Sequence, residues 1–267
     1  MVIAIFANSF RADTMREVKR IVEFLRSKGI HIVLSRELHH EPWGREFPSV
    51  TEYENQDENR IDFAISLGGD GTFLRTARWV GDKEIPILGI NTGHLGYLAD
   101  ITVDEMIGAV EDLKNGLYKI ETRSLIEVTS TRKEAIIDWN YALNEVAIHR
   151  HGATMISIDT FINKNKVATY HGDGLVVSTP TGSTAYSLSA GGPVVDPMCS
   201  CFILSPLAPH NLTMRPIVIP DSSKITLRLD ARGGEVFLSS DNRTYTLKDK
   251  ATIELRKADD GVILATP

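Results

Sequence analysis

Ile61-Asp62-Phe63-Ala64-Ile65-Ser66-Leu67-Gly68-Gly69-Asp70-Gly71-Thr72-Phe73-Leu74-Arg75 is the stretch that decides the fold. It begins as a short apolar run, Ile61 to Leu67, of the kind that forms a strand buried on both faces. Glycine ends that run abruptly, and from Thr72 to Val80 the pattern is helical. Strand, glycine turn and helix together make the unit from which parallel sheets are built. The alternation continues to both sides. Val2 to Ala7 reads as a first strand and Ile30 to Leu34 as a second. Between them Met15, Val18, Ile21, Val22 and Leu25 fall at helical spacing over Thr14 to Lys28, with Gly29 placed to end the helix. Ile85 to Ile90 reads as a fourth strand, and Val103 to Lys114 as a helix closing at Asn115-Gly116.

Past Ile120 the texture changes. Leu125–Ser130, Tyr141–His149, Met155–Ile162, Lys166–Tyr170, Gly174–Ser178, Ile217–Ile219, Lys224–Leu229, Val236–Ser239, Thr244–Leu247 and Ala251–Arg256 read as short strands, punctuated by Gly, Asn, Asp or Pro. Asn163-Lys164-Asn165 reads as a hairpin turn, and Thr181 to Ser189 as the one helical opening. The predicted architecture is an α/β N-terminal domain with a Rossmann-like parallel sheet, residues 1–120, and an all-β C-terminal domain, residues 121–255. A tail, residues 256–267, is expected to rejoin the first domain.

With 267 residues and 29.6 kDa the chain has room for two cores. Its 29 Lys and Arg against 35 Asp and Glu give a net charge of −6. A mildly acidic, mixed surface argues against general adhesion to nucleic acid or an anionic membrane, so any anion must be held locally. Cys199 and Cys201 are too close to pair with each other and too few for a zinc site. Low cysteine use points to a reducing compartment. Polar Asn8 and Ser9 cut short the apolar start, and no stretch is long enough to span a bilayer. The expectation is a soluble cytoplasmic protein.

Gly68-Gly69-Asp70-Gly71-Thr72 sits where a glycine loop exposes backbone N–H groups to a phosphate. A carboxylate there repels such a ligand unless Asp70 accepts a proton from a hydroxyl or helps to hold Mg²⁺. The alternative is a plain strand–helix turn with Asp70 as N-cap. No Gly-Lys dipeptide is present, which excludes a Walker A loop, and the glycine spacing is not that of simple dinucleotide binders. Asn91-Thr92-Gly93-His94-Leu95-Gly96-Tyr97 follows the fourth strand, and Tyr97 is placed to stack on a ring. Asn144-Glu145 lies inside an otherwise apolar strand, so at least one of the two must face inward or into a cleft. An amide beside a carboxylate suits sugar hydroxyls. His171-Gly172-Asp173-Gly174 and the hydroxyl-rich Ser178-Thr179-Pro180-Thr181-Gly182-Ser183-Thr184-Ala185-Tyr186-Ser187 offer further polar contacts. The histidines show no zinc spacing, and no G-x-S-x-G elbow is present.

Taken in order, these motifs resemble the NAD kinase family, with Gly191-Gly192-Pro193 extending the third of them. The first loop alone is shared with diacylglycerol and sphingosine kinases. The resemblance implies transfer of the terminal phosphoryl group of ATP, or in some members polyphosphate, to the 2′-hydroxyl of the adenosine ribose of NAD. It assigns Asp70 as the proton acceptor, with Gly68, Gly69, Gly71, Thr72 and Arg75 at the same site. Asn144, Glu145, Asp173 and the run from Thr181 through Ser183, Thr184, Ala185 and Tyr186 to Ser189 would contact NAD, as would Tyr97. His171 stands where relatives often carry Arg, and Asp241-Asn242 falls near a late polar contact, placing Asn242 at the site. Mg²⁺ is expected to arrive on ATP, with no metal fixed by protein side chains alone. A homodimer or homotetramer is implied. Relatives commonly end in a helix returning to the first domain; this chain stops at Thr266-Pro267, so that helix is expected to be either absent or removed.

The residues agree with phosphoryl transfer, which is mostly positioning and charge neutralisation. Arg75, one helical turn beyond Asp70, is the nearest candidate for an arginine at the transferred group. Two other readings use the same residues: a lipid kinase, which needs an apolar channel, and a non-catalytic NAD(P)-binding regulator, which has no use for Asp70. Turnover of NAD, and not of diacylglycerol, separates all three.

Overall fold

The computed structural model describes residues 1–8, 11–54, 60–93, 98–130 and 139–267. The chain divides into two compact units, Met1–Thr122 with Val262–Pro267, and Arg123–Gly261.

The first unit alternates strand and helix: β1 (Val2–Ala7), α1 (Ala12–Ser27), β2 (His31–Leu34), α2 (Arg36–His39), α3 (Val50–Glu54), β3 (Phe63–Leu67), α4 (Asp70–Val80), β4 (Ile87–Asn91), β5 (Ile101–Thr102) and α5 (Met106–Asn115). Among the described residues β1 to β5 pair in parallel. β1 lies between β2 (Ile3↔Ile32) and β3 (Ile3↔Phe63), β4 follows β3 (Ile65↔Leu88), and Leu264 near the chain end pairs with Ile87. The apolar runs are buried on both faces, which explains why they lack alternation. Val18, Ile21 and Leu25 of α1 and Val110 and Leu113 of α5 pack with Ile3, Ile5, Ile65 and Leu88 in one core. Gly29 ends α1 in the left-handed conformation (φ +68), its N–H reaching Arg26 O at 3.0 Å. Because β2 and β3 flank β1 on opposite sides, the order of the sheet switches between the carboxyl ends of β1 and β3. Ligands bind at such points in open α/β sheets. The glycine loop leaves β3 there.

The second unit comprises β6 (Lys119–Ser130, entering from the first unit), β7 (Tyr141–Ala142), β8 (Glu145–Arg150), β9 (Ile156–Ile162), β10 (Asn165–Gly172), β11 (Gly174–Ser178), a 3₁₀ turn (Thr181–Thr184), α6 (Tyr186–Ser189), β12 (Cys201–Leu207), β13 (Ile217–Pro220), β14 (Ile225–Asp230), β15 (Glu235–Ser240), β16 (Arg243–Lys248) and β17 (Thr252–Thr266), whose end belongs to the first unit. β10-β9-β14-β17 and β13-β12-β11-β8-β15-β16 form antiparallel ladders. Their inner residues, among them Ile158, Leu227, Ile253, Val146, Val177, Phe202 and Leu238, share one core. The β9–β10 hairpin turns on Asn163 and Lys164, both at positive φ.

Three expectations need correction. Tyr141 to His149 is not one strand: the chain bends at Leu143 and Asn144, and β8 starts at Glu145. The bend is held from far away, because the Asp241 carboxylate accepts the N–H groups of Leu143, Asn144 and Glu145. Thr181 to Ser189 forms a 3₁₀ turn and a single helical turn, with Ala185 between them at ψ −130. It is too short to carry an extended helix dipole. The last strand does not end at Arg256 but runs to Thr266, and β12, which contains Pro206, is a strand not among those expected. Cys199 and Cys201 are free thiols, the first exposed and the second buried.

Candidate active site

In the first unit the loop after β3 brings together Gly68, Gly69, Asp70, Gly71, Thr72 and Arg75. Gly69 is the N-cap of α4, and Asp70 is its first helical residue. No side chain caps the helix. Instead the Asp70 carboxylate accepts the N–H of Leu98 at 3.3 Å. The N-cap alternative for Asp70 is thereby overturned: its carboxylate is spent elsewhere. The N-terminus of α4, an 11-residue helix, is therefore left without a side-chain cap, and the positive end of its dipole is the arrangement that attracts phosphate. A Cβ on Gly69 or Gly71 would meet nothing within 4 Å, so both present bare backbone to solvent, whereas one on Gly68 would lie 2.4 Å from Thr72 Oγ1. Thr72 is buried beneath the loop, and Arg75 is exposed one turn further on. Asn91 spends its Oδ1 on the Gly93 N–H, a local turn bond of 2.8 Å. Tyr97 lies outside the described residues.

In the second unit the bend before β8 buries both members of the Asn144-Glu145 pair, at 8% and 9% exposure. Gly182 packs directly on it, for a Cβ there would fall 2.0 Å from Asn144 O. The Tyr186 N–H donates to the Glu145 carboxylate, but Glu145 Oε2 has no hydrogen-bond partner among the described residues. Burial, reinforced by the neighbouring Asp241 charge, pushes the Glu145 carboxyl up to about 7. An orphaned buried oxygen beside a half-exposed aromatic ring is a place built for a ligand donor. The Tyr186 ring stacks on His149 at 5.5 Å between centroids. Burial raises the Tyr186 phenol, with Glu145 and Asp173 adding to the effect, and lowers His149.

The remaining predicted residues divide by what their side chains already hold. Asp173 is half-exposed and gripped by Arg150 (Nε to Oδ1, 2.5 Å). His171 is exposed, its Nδ1 2.9 Å from Ser157 Oγ. Ser183 is buried and committed, accepting from Val195 N–H at 3.1 Å and donating to Val195 O at 3.2 Å. The Thr181 hydroxyl is buried without a partner among the described residues, while Thr184 Oγ1 donates to Thr181 O. Ser189 is exposed after the short helix, and Asn242 is exposed in the β15–β16 turn beside Asp241. Sequence reasoning passed over His149, Arg150 and the anchoring role of Asp241. Each acts through a partner distant along the chain; the Ser240-Asp241-Asn242 turn was the one local signal.

Known families match both units. The ATP-NAD kinase N-terminal domain family matches residues 3–118 and the ATP-NAD kinase C-terminal domain family residues 143–266. An NAD kinase of Bacteroides fragilis is 42% identical over 262 residues, covering 97% of this chain and 90% of the relative. One from Porphyromonas gingivalis is 41% identical over 259 residues, covering 96% and 89%. The chain belongs to the NAD kinase family. Solved structures agree. An NAD kinase from Archaeoglobus fulgidus in complex with ATP superposes with a TM-score of 0.77 at 28% identity, over 99% of this chain and 93% of the other. A yeast NADH kinase complexed with NADH shares the fold, with a TM-score of 0.87 at 24% identity, over 100% and 83%. The α/β unit with its parallel sheet and the β-rich unit are thus those of an NAD kinase, an enzyme that binds nucleotides.

Proposed function

We propose that this enzyme transfers the terminal phosphoryl group of MgATP to the 2′-hydroxyl of the adenosine ribose of NAD, making NADP. The observation that carries the reading is Asp70: a carboxylate placed first in α4, between two glycines open to solvent, and not used to cap its helix. A ribose hydroxyl is a poor nucleophile, and a carboxylate within reach takes its proton as the O–P bond forms and the bond to the leaving diphosphate breaks. The loop N–H groups hold phosphate oxygens, and Arg75 supports the charge on the transferred group. Mg²⁺ enters as part of the donor and neutralises its charge. In the second unit Asn144 and Glu145 bind the adenosine ribose of NAD, Tyr186 packs on its base, and Asp173, steadied by Arg150, contacts the rest of the nucleotide with Thr184, Ala185 and Ser189.

Free thiols at both cysteines suit a cytoplasmic location, and no helix among the described residues is long and apolar enough to cross a membrane. Assembly as a homodimer or homotetramer completes the proposal; light scattering measures it. The test of function is incubation with NAD, ATP and Mg²⁺ and detection of NADP. Protein that binds NAD yet forms no NADP with ATP or polyphosphate contradicts the reading.

A further inference from the structure

β8 carries Glu145, Ala147 and His149 on one face, since alternate strand residues share a side. In the ladders beside it Gly174 of β11 and Phe237 of β15 stand opposite His149, and Ser239 stands opposite Ala147. Gly174 puts no side chain on that face and Ala147 only a methyl group, so the imidazole has room to lean back along the strand. It does so: His149 Nε2 lies 3.3 Å from Ser239 Oγ. Burial lowers the His149 pKa, which keeps the ring uncharged at neutral pH. The Tyr186 ring lies on this imidazole, centroids 5.5 Å apart and planes 24° from parallel, and 38% of the residue remains exposed. Tyr186 opens α6, a single turn too short to fix a side chain by itself. Its backbone is tied by the N–H donated to the Glu145 carboxylate, and its ring is tied by His149.

We infer that His149 is a positioning residue for NAD: acting through Tyr186, it holds the phenol ring in the orientation that packs on the base of the dinucleotide. Ser239 fixes the tilt of the imidazole. The inference rests on the proposed packing of Tyr186 against the NAD base. One face of the Tyr186 ring lies on His149, so the other is the face left for a ligand, giving a stack of three rings. A phenol free to turn has to be ordered when NAD binds, at a cost in affinity; stacking orders it beforehand. An aliphatic side chain at position 149 fills the space but supplies no flat surface, and without Ser239 the imidazole turns freely about its own bond.

The test uses the full-length chain with His149→Leu, His149→Phe, Ser239→Ala, Tyr186→Ala, and His149→Leu combined with Tyr186→Ala. NAD affinity is measured by calorimetric titration, beside the KM for ATP and the melting temperature. His149→Leu is expected to weaken NAD about tenfold, the upper range for an aromatic pair, with the KM for ATP unchanged within about twofold. His149→Phe keeps the flat face but loses the Ser239 contact, so it and Ser239→Ala should each weaken NAD only about threefold. In the Tyr186→Ala background His149→Leu should have no further effect, because its route to NAD is gone. Additive losses in the double variant, wild-type affinity in His149→Leu, or equal weakening by Phe and Leu overturns the inference and leaves the role of Tyr186 intact. Should His149→Leu not fold, Ser239→Ala decides, and wild-type NAD affinity there overturns the inference. Wild-type affinity in Tyr186→Ala removes Tyr186 from the base, and the proposed packing and this inference fall together.

Discussion

Asp70 and Glu145 are two carboxylates with opposite settings. Asp70 sits half-buried at a helix N-terminus, and Asp70→Asn keeps its shape and its acceptor oxygen while removing the base. It also relieves repulsion with phosphate. The expected outcome is a kcat lower by about 10²–10⁴-fold with nucleotide KM values held or improved and the melting temperature unchanged; a variant that keeps kcat and loses stability would show a structural role. Glu145 titrates near neutrality because burial disfavours its charge. Its folded pKa, about 7, lies above the ordinary 4.5, so the folded state binds the extra proton. Its contribution is therefore full below pH 4.5 and is lost as the pH rises to about 7. Glu145→Gln should flatten that decline, gaining roughly 3 kcal/mol relative to wild type at pH 8. Denaturant melts of both proteins from pH 4 to 8 check it; parallel pH profiles for the two would place the carboxyl in water. The glycine loop was legible in the sequence because its turn, its anion and its helix are all local. The burial of both Asn144 and Glu145 was not, since strand alternation required only one of them to face inward.

At the scale of elements, the glycines divide into those that serve the fold and those that serve the ligand. Gly182 abuts Asn144 backbone, so Gly182→Ala forces apart the turn and the bend before β8 and should cost about 1–3 kcal/mol. Gly71 has open space around it, so Gly71→Ala should fold with equal or slightly greater stability, up to about 1 kcal/mol, while its methyl group obstructs phosphate and raises the KM for ATP. Thermal melts and steady-state kinetics on the pair distinguish the roles; a Gly71→Ala protein with wild-type kinetics would remove the loop from the site. The bend itself depends on Asp241. Asp241→Ala strands three N–H groups and should cost at least about 2 kcal/mol and raise the KM for NAD more than that for ATP, with Asp241→Asn restoring part of both. Equal effects on the two substrates would make Asp241 merely structural. No local pattern announces this clamp, because Asn144 and Asp241 are 97 residues apart.

At the scale of the molecule, the first unit was the easier to read. A parallel sheet buried on both faces writes itself as apolar runs, and the helices between them carry a single apolar stripe, as in α1. The second unit disclosed its strands one by one but not their order: β8 pairs with β11 and β15, a pairing set by a core that no single strand encodes. The second half of β17 escaped because Lys257, Asp259 and Asp260 interrupt its apolar alternation where it passes from one unit to the other. What the two units are for converges on one reaction. Wild-type protein supplied with NAD and MgATP should yield one NADP for each ADP formed, with the new phosphorus signal on the 2′-oxygen of the adenosine ribose by ³¹P NMR. ADP released without a 2′-phosphate on NAD, from protein that is folded and binds NAD, would contradict the account.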